Sequence, residues 1–256
     1  MMKKHLSVFG LFARASLVPM LILLLLSAGV QTVLFAAELN YVRIPLLTGE
    51  SVKGIEELIG DTAIPLTAGI SLLLFALLLC VQGTSFSSKT EYTMSRLSVS
   101  ETSAFLWQSA YNTLAFLIFW AAEAVLMYSL CLWYVSVSAN AAEQSIFLAL
   151  FRSEFLHGLL PLHDTSRIVR NAVFCLFLGT ASAYVPFSSQ NGKISIVLIP
   201  ALTYALGSFR IGDISLSSDI FHILICLFFT GVVIFKVFTS FGFFSDEEEK
   251  EDTWNG

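Results

Sequence analysis

The chain has 256 residues, of which 56% are hydrophobic and 13% charged, with a formal net charge of −5. A soluble domain carries about 25% charged residues, so an ordinary globular protein is excluded, and the acidic balance excludes a basic nucleic-acid binder. The apolar residues fall in blocks long enough to cross a bilayer, which predicts an all-α polytopic transmembrane helix bundle. One membrane domain is expected over 1–245, and a disordered acidic tail over 246–256.

Lys3, Lys4 and Arg14 precede a charge-free run at 15–37. A cleaved signal peptide has the same polarity, but the run is long for one. Phe35 also stands where a cleavage point needs a small residue. An uncleaved first span with a cytosolic N-terminus is expected. Residues 38–61 read as a polar outer loop with Pro45, Gly49 and Gly54, ending in a short surface helix over 51–61. Glu56 and Glu57 invite comparison with the paired glutamates of some intramembrane proteases. The arginine that should follow them is missing, so they read as solvated acids.

The second span is expected at 64–83, with Pro65 near its start, where proline costs little. The sequence GTSFSSKT at 83–90 has the outline of a phosphate-binding loop, with Ser88 in place of its second glycine. A membrane helix precedes it instead of a strand, and the missing glycine removes the conformation that gathers N–H groups on an anion. No nucleotide site is assigned.

Residues 85–134 combine a polar cytosolic stretch carrying Lys89 and Arg96 with a long apolar helix holding one acid, Glu123. Ser98 or Ser100 is a candidate cap, and Trp107 and Tyr111 suit the headgroup zone. A helix from about 100 to 135 is roughly 50 Å long, against a bilayer core of about 30 Å. Its first turns must lie outside the core, bend along the surface, or tilt. A carboxyl near mid-span faces a bundle interior or a wet cavity. Glu123 is therefore read in three ways: a neutral acid hydrogen-bonded to another helix, a liner of a substrate or ion path, or a residue nearer the interface. Gln31, Tyr204 and His222 are its candidate partners by depth.

The segment 145–162 is apolar at both ends but holds Arg152, Glu154 and His157, and central charges are costly in a spanning helix. An interfacial or re-entrant helix is expected, with Leu148, Phe151, Phe155 and Leu159 toward lipid or protein. His157, His163 and Asp164 read as interfacial polar residues and not as a metal site, since Pro161 breaks any shared face. The last spans are expected at 168–186, 194–209 and 219–241, with an Asn191-Gly192 turn after the first of them. The 194–209 span holds Pro200 and Gly207 and is about 24 Å long, so it barely crosses. Lys236 is read as snorkelling from the last span. Cys80, Cys131, Cys175 and Cys226 each lie in a different apolar block, with no C-x-x-C pair, and read as buried thiols with no disulfide or zinc site.

Six spans with both termini inside put eight of the fourteen Lys and Arg residues on the inner side and six on the outer. A crossing at 145–162 would move Arg167, Arg170 and Arg210 inside, which the positive-inside rule favours, at the cost of burying three polar side chains. Six is the preferred count.

The order of parts, with the motif E-Y-T-x-x-R-L-x-V-S at 91–100, resembles the six-helix permease subunits of ABC exporters that lack a fused ATPase. The chain also resembles short permease-like membrane proteins of gut Clostridia. In the exporter family this cytosolic stretch forms a coupling helix. The resemblance implies an ATPase-docking surface of Glu91, Thr93, Arg96, Leu97 and Ser100, with Val99 among them. Ser98 stands where the family has proline. It further implies a separate ATPase subunit, a homo- or heterodimer in the bacterial plasma membrane, and export of a peptide, drug or lipid-like substrate. No catalytic, cofactor or metal residue is assigned, and an intramembrane enzyme is disfavoured. The rival reading is a non-transporting membrane scaffold or accessory subunit.

Overall fold

A computed structural model describes residues 2–48, 54–83, 101–137, 144–161, 164–190 and 216–240. These residues hold eight helices and no strand: α1 (Met2–Thr48), α2 (Ile55–Asp61), α3 (Ile64–Gly83), α4 (Glu101–Val137), α5 (Gln144–Arg152), α6 (Glu154–Leu159), α7 (Thr165–Gln190) and α8 (Leu216–Ser240). Five of them, α1, α3, α4, α7 and α8, carry stretches long and apolar enough to cross a bilayer. Helices suit this composition because each satisfies its own backbone groups where no water can. Among the described residues the fold is all-helical, and its five long apolar helices fit a multi-pass membrane protein. The expected 194–209 span, the Asn191-Gly192 turn and the acidic tail lie outside the described residues.

α7 is the hub and packs on α4, α3 and α8, while α1 packs on α3 and α4. Phe75, Phe116, Phe119, Phe177 and Leu178 form the centre of the bundle. Small residues let α4 and α7 close up. A Cβ at Gly179 would lie 2.7 Å from Thr113 Cα, and Asn112 donates across the contact to Ser182 Oγ at 2.9 Å. The outward faces of α1 and α8 are apolar and open, with Leu25 72% and Phe228 67% exposed, as helices facing lipid tails are.

Three sequence expectations change here. First, α1 does not stop at residue 37 but continues to Thr48, so much of the expected outer loop is helix. Phe35 and Leu39 are buried in one apolar cluster with Ile55, Leu58 and Ile59, a contact that composition could not reveal. Second, α2 shows Glu57 and Asp61 at the surface, yet its other face is core, with Ile55, Leu58 and Ile59 at most 1% exposed. Third, α7 starts at Thr165, which brings Arg167 into the helix instead of the outer loop.

α1 and α4 are about 70 and 55 Å long, well beyond a bilayer core of about 30 Å. Their protruding ends meet at one pole of the bundle. There α2, α5 and α6 join them in a second core with Met127, Leu130, Tyr134, Leu150 and Leu156. The 145–162 stretch is two short helices, about 13 and 9 Å long and broken at Ser153, whose hydroxyl accepts from Leu156 N. Neither is long enough to cross. Leu148 and Phe151 are exposed, whereas Phe155 and Leu159 are buried.

Candidate functional site

Glu123 of α4 is 4% exposed. Gln31 Nε2 of α1 donates to both of its carboxyl oxygens, at 3.1 and 3.0 Å. Ser27 Oγ, one turn earlier on the same face of α1, lies 3.0 Å from Oε1 and 2.7 Å from Ser71 Oγ of α3. The chain of bonds ends where Ser71 Oγ donates to Thr67 O at 2.7 Å. Three helices are thus joined by one polar knot. Gln31 Oε1 is the buried side-chain atom without a hydrogen-bond partner among the described residues. Ser71 comes seven residues after the start of α3, so the knot lies about 10 Å from that end of the helix, toward the pole with the short helices.

Next to Glu123 is a cavity of about 70 Å³ between α3, α4, α6 and α7. Its walls are mainly aromatic and aliphatic: Phe116, Phe119, Trp120, Phe155, Phe174 and Leu178 among others. Trp120 is held by its indole N–H, which donates to Leu159 O at 3.1 Å. Phe119 and Phe116 are braced by Phe75, with ring centroids 5.0 and 5.5 Å away. The polar wall groups are Glu123, Glu154, Arg170 and Asn171.

Two of these are committed elsewhere. Arg170 Nη1 donates to Asp219 Oδ1 of α8 at 2.9 Å, and its Nη2 and Nε point at Asn171 Oδ1. Asn171 Nδ2 donates to Gly158 O at 2.8 Å, which ties α7 to α6. Asp219 also accepts from Ser166 Oγ at 3.1 Å and lies 3.7 Å from Arg167 Nε. Arg167 and Asp219 side chains are both 3% exposed, so this is a buried ion-pair cluster linking α7 to α8. Glu154 is exposed at the rim. The result is a donor-bound carboxyl at the edge of an aromatic wall, with an ion-pair cluster close by.

No family model matches this chain. Neither a curated protein nor a solved structure matches it.

Of the residues singled out from the sequence, Glu123 and Gln31 meet directly. His222 does not join them through any bond seen here. Its Nδ1 lies 2.6 Å from Ser218 O and 3.3 Å from Ser218 Oγ, on its own helix. Tyr204 and the docking set Glu91, Thr93, Arg96, Leu97 and Ser100, together with Ser98 and Val99, lie outside the described residues, as does His163. Ser27, Ser71, Asn171 and Asp219 were missed. Ser27 was findable, because its four-residue spacing from Gln31 puts two polar groups on one face of an apolar helix. Asp219 was not, since it stands at a span boundary where an acid is unremarkable.

Two further side chains turn inward. The first is Tyr111. It is 8% exposed, and its hydroxyl bonds Ser16 and, at 3.4 Å, Met20 Sδ, because α1 offers partners that the α4 sequence does not show. The second is His157, 4% exposed, with Nε2 3.0 Å from Asp164 Oδ2 and its ring 5.4 Å from that of Phe151. Among the described residues, no three His, Cys, Asp or Glu side chains come together as a metal site. All four cysteines are free and buried.

Proposed function

We propose that this protein is a permease-type subunit of an ABC exporter, seated in the bacterial plasma membrane with its N-terminus in the cytosol. The observation that carries the reading is the cavity beside Glu123. A bundle built only for anchoring gains nothing from a buried carboxyl facing an aromatic void, because polar groups at membrane depth are costly and mark pathways. In this reading 194–209 supplies a sixth span. The α5–α6 pair lies at the outer face as an interfacial cap, where its exposed Phe147 and Leu148 meet lipid. Two such subunits, identical or not, form the path, and a separate ATPase docks on 91–100. The motif at 91–100 supports this last step by resemblance alone.

The test is co-purification with an ATPase subunit, followed by ATP turnover in proteoliposomes. Turnover that rises with an added substrate supports the permease. A stable complex with no substrate-dependent turnover favours the scaffold reading. For topology, a reporter fused after Gly256 should be active in the cytosol. Activity only outside the cell would remove the six-span arrangement.

A further inference from the structure

We infer that the groove between α2, the start of α3 and the α5–α6 pair seats the headgroup of an ethanolamine phospholipid from the surrounding bilayer. The inference stands apart from the transport reading.

Three observations converge. The first is size and place. The groove has a volume of about 510 Å³, and its walls include Gly60 of α2 and Pro65 and Leu66 of the first turn of α3. Sites of roughly 300–1,000 Å³ take small-molecule groups. The apolar run of α3 begins at Ile64, so the groove lies at the level where a bilayer core gives way to headgroups. The second is an outlet for the tails. Leu66 is a wall of the groove and is 61% exposed. Ile70, Leu74, Leu77 and Val81 continue it along α3 at helical spacing, all of them exposed. An acyl chain attached to a headgroup in the groove has this open apolar stripe to follow. The third is charge of both signs. Arg152 lines the groove together with Glu56, Glu57 and Glu154. Arg152 Nη1 lies 3.3 Å from Glu56 Oε1 with the Arg152 side chain 65% exposed, so other N–H groups of the guanidinium can meet a phosphate. Glu57 and Glu154 are exposed carboxylates. An ethanolamine headgroup carries one phosphate and one primary ammonium, whose three N–H donors suit such acids. A choline headgroup has the same charges but no N–H on its nitrogen. A glycerol headgroup has the phosphate and no cation, and would face three acids with one arginine.

The experiment titrates the full chain in detergent and counts bound lipid by native mass spectrometry. The probes are phosphatidylethanolamine, phosphatidylcholine and phosphatidylglycerol with identical acyl chains, and glycerophosphoethanolamine, the same headgroup without tails. The wild type should bind its first phosphatidylethanolamine about tenfold more tightly than either other lipid, the scale of one charge-assisted hydrogen bond. Glycerophosphoethanolamine should bind far more weakly, since it has no tail to lay on α3. Replacing both acids, Glu57→Gln with Glu154→Gln, should bring phosphatidylethanolamine down to the level of phosphatidylcholine. Arg152→Ala should weaken these two lipids by a similar factor, because both carry the phosphate. Gly60→Phe leaves the charges intact and adds a ring where an added Cβ meets nothing within 4 Å, so it should weaken phosphatidylethanolamine by filling the groove. Equal binding of the three lipids by the wild type would mean unselective lipid contact and overturn the inference, as would a preference for phosphatidylglycerol. An ethanolamine preference that survives both the paired acid substitutions and Gly60→Phe would place the lipid elsewhere and also overturn it. Glycerophosphoethanolamine binding as tightly as the lipid would make the occupant a free headgroup compound, and the bilayer assignment would fall.

Discussion

Gln31 reaches across ninety-two residues of sequence to hold both carboxyl oxygens of Glu123, at 3.1 and 3.0 Å. This contact fastens α4 to α1 in surroundings where hydrogen-bond partners are scarce. Removing one side of such a contact leaves the other buried and unsatisfied, which costs more than the contact itself contributes.

The two substitutions of Glu123 should therefore differ. Glu123→Gln keeps an acceptor for Gln31 and adds an N–H that can meet the amide oxygen once the Gln31 amide rotates. Its thermal unfolding midpoint in detergent should stay near wild type. Glu123→Leu leaves one Gln31 N–H without an acceptor, while Ser27 keeps Ser71, and should cost about 1–3 kcal/mol. Unfolding curves of the two variants decide the matter. Equal midpoints would show that the polar knot has no structural role.

Asp219 is the only carboxylate that Arg167 and Arg170 both approach among the described residues, at 3.7 and 2.9 Å. Asp219→Ala leaves the buried Arg167 and the half-buried Arg170 without their carboxylate and should destabilise the packing of α8 on α7 by about 3–5 kcal/mol. Limited proteolysis should then release a fragment containing α8 at protease levels that leave the wild type intact.

By contrast, Arg152 and Glu56 are 3.3 Å apart at the rim, with side chains 65% and 26% exposed. Water and salt screen such a pair. Arg152→Ala should change stability by no more than about 1 kcal/mol. A larger loss, read from the same unfolding assay, would mean that the lipid surroundings desolvate this pair.

Gly179 should not tolerate a side chain. An added Cβ would lie 2.7 Å from Thr113 Cα, which is backbone and has no flexible end to move. Gly179→Ala should cost about 1–3 kcal/mol by overpacking and part α4 from α7. Cross-linking of a cysteine pair placed at 112 and 182 should fall in the variant. Gly231 is the control, since nothing lies within 4 Å of its added Cβ and Gly231→Ala should be neutral or mildly stabilising.

Class and span positions were legible because they are local. Charge-free runs must be helical to satisfy their backbones in lipid, and 64–83 was placed to the residue by its apolar block and flanking turn residues. Depth also put Gln31, with Tyr204 and His222, among the candidate partners of Glu123, and Gln31 bonds it. What the sequence could not hold was which polar groups cancel. Arg167 and Arg170 read as outer-side charges until Asp219, some fifty residues away, turned out to pair with both. The extension of α1 past residue 37, the inward turn of Tyr111 and the burial of one face of α2 have the same cause: each depends on an apolar or hydroxyl partner from a distant helix. The sequence by itself determined that this chain forms membrane helices with one acid among them. The tertiary structure decided that this acid stands on the wall of an aromatic cavity. A cavity is a relation between side chains of α3, α4, α6 and α7, and no stretch of sequence carries it alone.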